Sequence, residues 1–194
     1  MRLDRTFIGS YEFEVGEWPG GRCDRMFWYP GAATTGGRDG LVLSISPAEG
    51  RAWLGVFAPQ GSSARGASGA VALPDQRTLA VLSNGTVYRV AADDPVQWEE
   101  PSVGGVTDPV IAEDLDLVLF VEYTTVLAYG CGGLAWHTEP LVWDDLQALR
   151  LEGDVLHLEG FDAPLNEIVP FSLDLRTGRS PDAPYPGRRV RRVN

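Results

Sequence analysis

LAVLSNGTVYRV, Leu79 to Val90, places two runs of alternating apolar residues on either side of Asn84-Gly85. Asn-Gly supplies the positive backbone angles of a type I′ turn, whose twist matches the strands that flank it, so the stretch reads as a two-residue β-hairpin. Shifted by 39 residues without a gap, it lies over VLFVEYTTVLAY, Val118 to Tyr129, with Thr86 and Val87 falling on Thr125 and Val126. A third version, VLHLEG followed by EIVPFSLD, has a longer connection through Asp162 to Asn166. The hairpin is therefore a repeated unit.

Each hairpin is preceded by another strand-like run: Ser68 to Leu73, Thr107 to Ala112 and Gln147 to Glu152. Each is followed by a glycine or proline break. After the break comes a further run, which carries Trp98 in one copy and Trp136 in another. An earlier copy is assembled from Phe7 to Val15, Arg25 to Tyr29, Leu41 to Ser46 and Arg51 to Phe57, with Trp53 at the corresponding place. Aligning Ile45, Val90, Tyr129 and Leu173 gives steps of 45, 39 and 44 residues, a spacing at which one sheet of a propeller or similar array recurs. The expected fold is all-β, with about four antiparallel units of three to four strands arranged like a propeller. A β-sandwich, or a partial array completed by dimerisation, is the alternative. Helical periodicity is absent, and WDDLQALRLEG reads as an acidic turn entering a strand. The three recurring tryptophans are expected to fill the wedge between neighbouring sheets.

LAYGCGGLAW and FSLDLRTGRS look like the end of a blade in β-propellers, especially the repeats of pyrroloquinoline-quinone enzymes and their cofactor-free relatives. That pattern runs apolar-Ala-apolar-Asp, then Thr-Gly, then a tryptophan, and Leu173, Asp174, Thr177 and Gly178 match its turn. Gly130 stands in place of the aspartate in the third copy, and the last copy lacks the tryptophan. The resemblance implies the fold and no quinone, so no cofactor is expected.

The domain expected from these repeats covers residues 1–180, with a Pro/Arg-rich tail over 181–194. The last unit lacks a final strand, and in a closed ring the N-terminal run TFIGSYEFEV is expected to fill the vacancy. The glycine-rich stretches Pro30 to Gly40 and Ala58 to Gly69 are read as mobile loops.

Composition narrows function by exclusion. The 194 residues carry a formal charge of -11, which disfavours nucleic acid and anionic membranes and favours a basic ligand or partner. Lysine is absent; a coding bias toward Arg, Ala and Gly codons accounts for that. The N-terminus lacks a secretory pattern and no apolar run is long enough for a membrane helix, so the expected compartment is the bacterial cytoplasm. Cys23 and Cys131 have no metal-binding neighbourhood and read as two reduced thiols.

The segment that departs most from the repeat is EWPGGRCDRMFWYPG, Glu17 to Gly31. It concentrates Arg22, Asp24, Arg25, Trp28 and Tyr29, offering guanidinium, carboxylate and stacking rings as the wall of a ligand or partner site; an ion pair on a core strand is the structural alternative. On a strand, Arg22, Asp24, Met26 and Trp28 point one way and Cys23, Arg25, Phe27 and Tyr29 the other, so neither face is purely apolar. No catalytic or metal site is expected. His137 and His157 are dispersed from the cysteines, GxSxG is absent, and the acidic pairs Asp93-Asp94, Glu99-Glu100, Glu113-Asp114 and Asp144-Asp145 read as turn residues. Arg188 to Arg192 forms a basic tail, read as flexible or docked on the acidic body.

The leading function is a noncatalytic binding or interaction scaffold, monomer or homodimer, for a protein or small ligand. The alternatives are a small hydrolase or lyase using Asp24 with an arginine, and an antitoxin- or immunity-like inhibitor of a basic enzyme.

Overall fold

A computed structural model describes residues 1–17, 25–31, 40–61, 63–102 and 105–185. The fold is all-β: four sheets of three to five strands, with a single short 3-10 turn at Glu113–Leu115 among the described residues. The chain divides into two compact units, Met1–Val106 and the residues from Thr107 onward. Each unit contains two of the sheets.

In the first unit the strands are β1 (Arg2–Asp4), β2 (Tyr11–Val15), β3 (Met26–Tyr29), β4 (Leu41–Pro47), β5 (Trp53–Phe57), β6 (Gly69–Ala72), β7 (Thr78–Ser83), β8 (Thr86–Ala91) and β9 (Trp98–Ser102). One sheet has the order β2-β4-β5-β3 and the other β1-β6-β7-β8-β9. The second unit contains β10 (Asp108–Ala112), β11 (Leu117–Val121), β12 (Val126–Gly130) and β13 (Gly133–His137) in one sheet. Its other sheet is β14 (Asp144–Glu152), β15 (Val155–Asp162) and β16 (Glu167–Asp174).

The opening hairpin forms as its turn residues dictate. Ser83 pairs with Thr86 across Asn84 and Gly85, whose φ angles are 49° and 85°. The acidic stretch before β14 likewise becomes an irregular strand start, with Asp145 at φ 58° and a register shift after Asp144.

Three arrangements differ from the sequence expectation. The N-terminal run does not complete the last sheet: β2 pairs antiparallel with β4, because Tyr11 and Phe13 thereby join the buried side chain of Ile45 on one face. Tyr11 also donates its hydroxyl to the Thr78 carbonyl at 2.9 Å, tying this strand to the other sheet of its own unit. The second arrangement concerns β3, which lies outside β5 and runs parallel to it, so the sheet is no simple meander. Finally, β1 adds in parallel to β6, while β14-β15-β16 stays three-stranded.

The outer edge of β16 is closed by local chemistry. Pro170 lacks an N–H, the Asp174 N–H bonds the Arg179 carbonyl at 2.9 Å, and Asp182 accepts from the Ser172 hydroxyl at 3.2 Å.

Tryptophan joins the two sheets within each unit. Trp53, 2% exposed at the start of β5, donates its indole N–H to the Ala92 carbonyl at 2.8 Å, just beyond β8. Trp136 in β13 donates to the Leu175 carbonyl at 3.0 Å, just beyond β16. Both bonds span 39 residues. Gly178, at φ +65°, lies against the Trp136 ring so closely that a Cβ there would come within 2.8 Å of Cδ2. The expected wedge is therefore present at Trp53 and Trp136. Trp98 behaves differently: it is 38% exposed and meets Tyr29 and Tyr88 through its ring.

Below this clasp the second unit buries Leu119, Val121, Val126, Leu156, Leu158 and Leu173 in one apolar core. Replacing Trp136 with Phe keeps most of the ring and removes the N–H. A loss of about 1–2 kcal/mol is expected, read as a melting temperature lower by roughly 2–4 °C per kcal/mol. Gly178→Ala should cost more, about 2–4 kcal/mol, since it combines left-handed backbone strain with a clash on the indole.

Candidate functional site

The segment singled out by sequence forms β3, and its parallel register with β5 sets which way each residue faces. Phe27 lies opposite Gly55 and Tyr29 opposite Phe57, while Met26 and Trp28 lie opposite Leu54 and Val56. Tyr29 and Phe57 stack at 4.5 Å between centroids with 6° between planes. Phe27 meets Trp53 edge-on at 5.7 Å. Alternation thus places Arg25, Phe27 and Tyr29 on the face that carries Trp53, and Trp28 on the opposite face, where it is half-buried. Arg22 and Asp24 lie outside the described residues, as does Cys23.

Tyr29 is an anchor. It is 1% exposed, and its hydroxyl donates to the Pro95 carbonyl at 2.7 Å, in the turn between β8 and β9. Trp98 stands edge-on to it at 5.5 Å, and Tyr88 completes the ring cluster while donating to the Ala58 carbonyl at 2.5 Å. Burial, with the nearby Asp94 charge, raises the Tyr29 phenol well above its ordinary range. Burial also pushes Tyr88 up to about 12, helped by the Glu100 charge and opposed by a hydrogen bond with Gln60. Tyr11 is shifted upward by burial and by Asp75.

Two polar atoms near these rings lack hydrogen-bond partners: Nε of Arg25 and Oε1 of Glu100. Arg25 holds its guanidinium carbon 6.0 Å from the Phe27 ring centre, and Glu100, two residues beyond Trp98, has its carboxyl raised by burial. An unsatisfied buried polar atom is unusual enough to mark a place where an incoming group gains a hydrogen bond. Sequence reading missed Trp98 and Glu100 as neighbours of the segment. The two-residue period of β3 already placed Phe27 beside Arg25 and Tyr29, whereas Trp98 and Glu100 arrive through the pairing of β8 with β9.

Other charged groups have structural tasks. Arg89 bridges Asp75 at 2.9 Å and Glu99 at 3.1 Å. Burial works against the Asp75 carboxylate, yet hydrogen bonds from Thr78, Arg77 and Arg89 outweigh it and hold the group below the usual range. Asp94 accepts from the Val96 N–H and the Gln97 side chain within its turn. His157 pairs with Glu152 at 3.1 Å, and Cys131 is exposed. Among the described residues no group of three or more His, Cys, Asp or Glu side chains is placed to hold a metal ion, and no helix is long and apolar enough to cross a membrane.

Open clefts also lie among the described residues. One, of about 770 Å³, lies on the first sheet along Glu12, Glu14, Ser44 and Ser46; its Arg5 is engaged with the Phe13 carbonyl at 2.5 Å. Another, about 720 Å³, lies in the second unit between His137 and Glu139 on one side and Asp174, Gly178 and Arg179 on the other. Comparison with protein-family models, with curated proteins and with solved structures finds no match to the chain.

The raised phenols make an alkaline limit to stability. A phenol whose folded pKa exceeds its unfolded value of about 10 binds its proton more tightly in the fold, so its contribution is complete below pH 10. That contribution is lost as pH rises toward the folded value, about 12 for Tyr88. Melting temperature should fall through this window, and Tyr88→Phe should flatten the decline; an unchanged slope would place the alkaline weakness elsewhere.

Proposed function

We propose that the chain is a noncatalytic binding scaffold with propeller-like repetition of its sheets, acting in the cytoplasm and holding a basic partner through Arg22 to Tyr29. The observation that carries this reading is the state of β3. One face is fixed by Tyr29, stacked on Phe57 and bonded to Pro95, while the other turns a half-buried Trp28 outward at the edge of the sheet. A rigid strand that offers an aromatic side chain loses little conformational entropy when a partner covers it. Arg25 directly precedes that strand on the Tyr29 face, with a half-buried side chain whose Nε has no hydrogen-bond partner among the described residues.

Propeller-like repetition draws support from the two tryptophan clasps. Trp53 with Ala92 and Trp136 with Leu175 are related by one constant shift of 83 residues, so each unit repeats the same sheet-to-sheet contact. The charge of -11 favours a basic partner and makes the inhibitor reading the closest variant of this proposal.

Trp28→Ala and Arg25→Ala test the reading. Each should weaken affinity for a captured and identified partner by about tenfold, roughly 1.4 kcal/mol, while moving the melting temperature little. Tyr29→Phe should instead lower stability. Equal losses of binding and stability at Trp28 would assign that residue to the fold, and affinity independent of salt would remove the basic partner.

A further inference from the structure

The edge of β5 and the edge of β13 correspond under one constant shift, and among the described residues a strand fills only the first. On the second, Leu141, the counterpart of Ala58, donates to the Thr124 carbonyl and accepts from the Tyr185 N–H, so the open stretch is that of His137 and Glu139. The shift of 83 residues that carries Trp53 onto Trp136 and Ala92 onto Leu175 also carries Leu54 onto His137, Val56 onto Glu139 and Pro95 onto Gly178. In the first unit β3 fills this edge. The Leu54 N–H donates to the Arg25 carbonyl at 2.9 Å and the Ala58 N–H to the Tyr29 carbonyl at 3.0 Å. Tyr29 then reaches Pro95 with its hydroxyl.

In the second unit, β13 is the last strand of its sheet, and the 720 Å³ cleft runs along the corresponding side. His137 and Glu139 stand where Leu54 and Val56 receive β3, and Gly178 stands where Pro95 accepts the Tyr29 hydroxyl; all three line the cleft. Thr138 donates its N–H to Val126, so the neighbouring His137 occupies a position of the β12–β13 pairing whose N–H and C=O point away from β12. Among the described residues those outward groups of His137 have no backbone partner.

We infer that the β13 edge is a strand-addition site for an extended segment of a partner protein, running parallel to β13 and carrying aromatic and basic side chains. The parallel direction and the aromatic character come from β3, which reads Met26-Phe27-Trp28-Tyr29 after Arg25. The basic character comes from Glu139 and Asp174, which outnumber Arg179 on the cleft walls of a chain whose charge is -11. Backbone hydrogen bonds along an edge supply affinity in such sites, and pockets for alternate side chains supply specificity. The Tyr hydroxyl of the segment bonds the Gly178 carbonyl, as Tyr29 bonds Pro95. This surface is separate from β3, so it stands or falls independently of the partner reading above.

The probe is an acetylated peptide with the sequence of residues 25–31, Arg-Met-Phe-Trp-Tyr-Pro-Gly, titrated into the intact chain. Saturable one-to-one binding is expected. His137→Pro, which deletes the outward N–H, should weaken it by about tenfold or more, whereas His137→Ala, which keeps that N–H, should change it by less than about twofold. N-methylation of the peptide at its Phe and Tyr removes the donors that face the edge and should abolish binding; this arm needs no protein variant and decides the matter if His137→Pro fails to fold. Absence of saturable binding, or binding indifferent to N-methylation, overturns the inference. Self-association of the chain that His137→Pro abolishes would overturn the partner assignment in favour of a second copy.

Discussion

The indole N–H bonded to a carbonyl 39 residues further on is the constraint around which each unit is built. A sheet buries one face only if another layer covers it, and two twisted sheets leave a wedge that small aliphatic side chains fill poorly. Tryptophan fills the wedge with a large flat ring, and its single polar atom requires an acceptor once buried. The acceptor is the carbonyl just past β8 in one unit and just past β16 in the other. That bond fixes the separation of the two sheets and their relative register. Gly178 follows from it, since only a residue without Cβ leaves room for the ring at φ +65°.

The aromatic cluster of the first unit extends the same principle. Tyr29, Phe57, Tyr88 and Trp98 bury ring surface between the sheets, and two of their hydroxyls end on main-chain carbonyls. Polar ends bound to backbone leave little freedom for the rings to slide. Such a cluster is stiff, and it explains how a four-residue strand at a sheet edge is held in place.

Strand identity was legible because its determinants are local. Asn84-Gly85 dictates a turn whatever surrounds it, and the continuous apolar run Leu79 to Leu82 suits a strand buried on both faces. Recurrence of the tryptophan was legible too, as was the division of β3 into an Arg25-Phe27-Tyr29 face and a Met26-Trp28 face. Strand order was not. Nothing in Met26 to Tyr29 states that it will pair in parallel beyond β5, because the choice depends on Gly55 leaving space for the Phe57 and Trp53 rings on which Tyr29 and Phe27 pack and on Pro95 accepting a hydroxyl from 66 residues away. The N-terminal run was misplaced for a similar reason: Tyr11 and Phe13 suit any half-buried edge, and Ile45 with the Thr78 carbonyl decides which one. The candidate site was legible as a concentration of Arg25, Trp28 and Tyr29, while its neighbours Trp98 and Glu100 depend on tertiary pairing.

The chemistry along β16 has a consequence for how the molecule behaves in a crowded solution. A proline, an aspartate seated on a serine and a bridging arginine carbonyl deny the backbone ladder on that flank to any passing chain. A sheet with an open edge carries an inherent tendency toward lateral growth. On this side the tendency is extinguished by covalent structure and local hydrogen bonding within β16 and the residues that follow it.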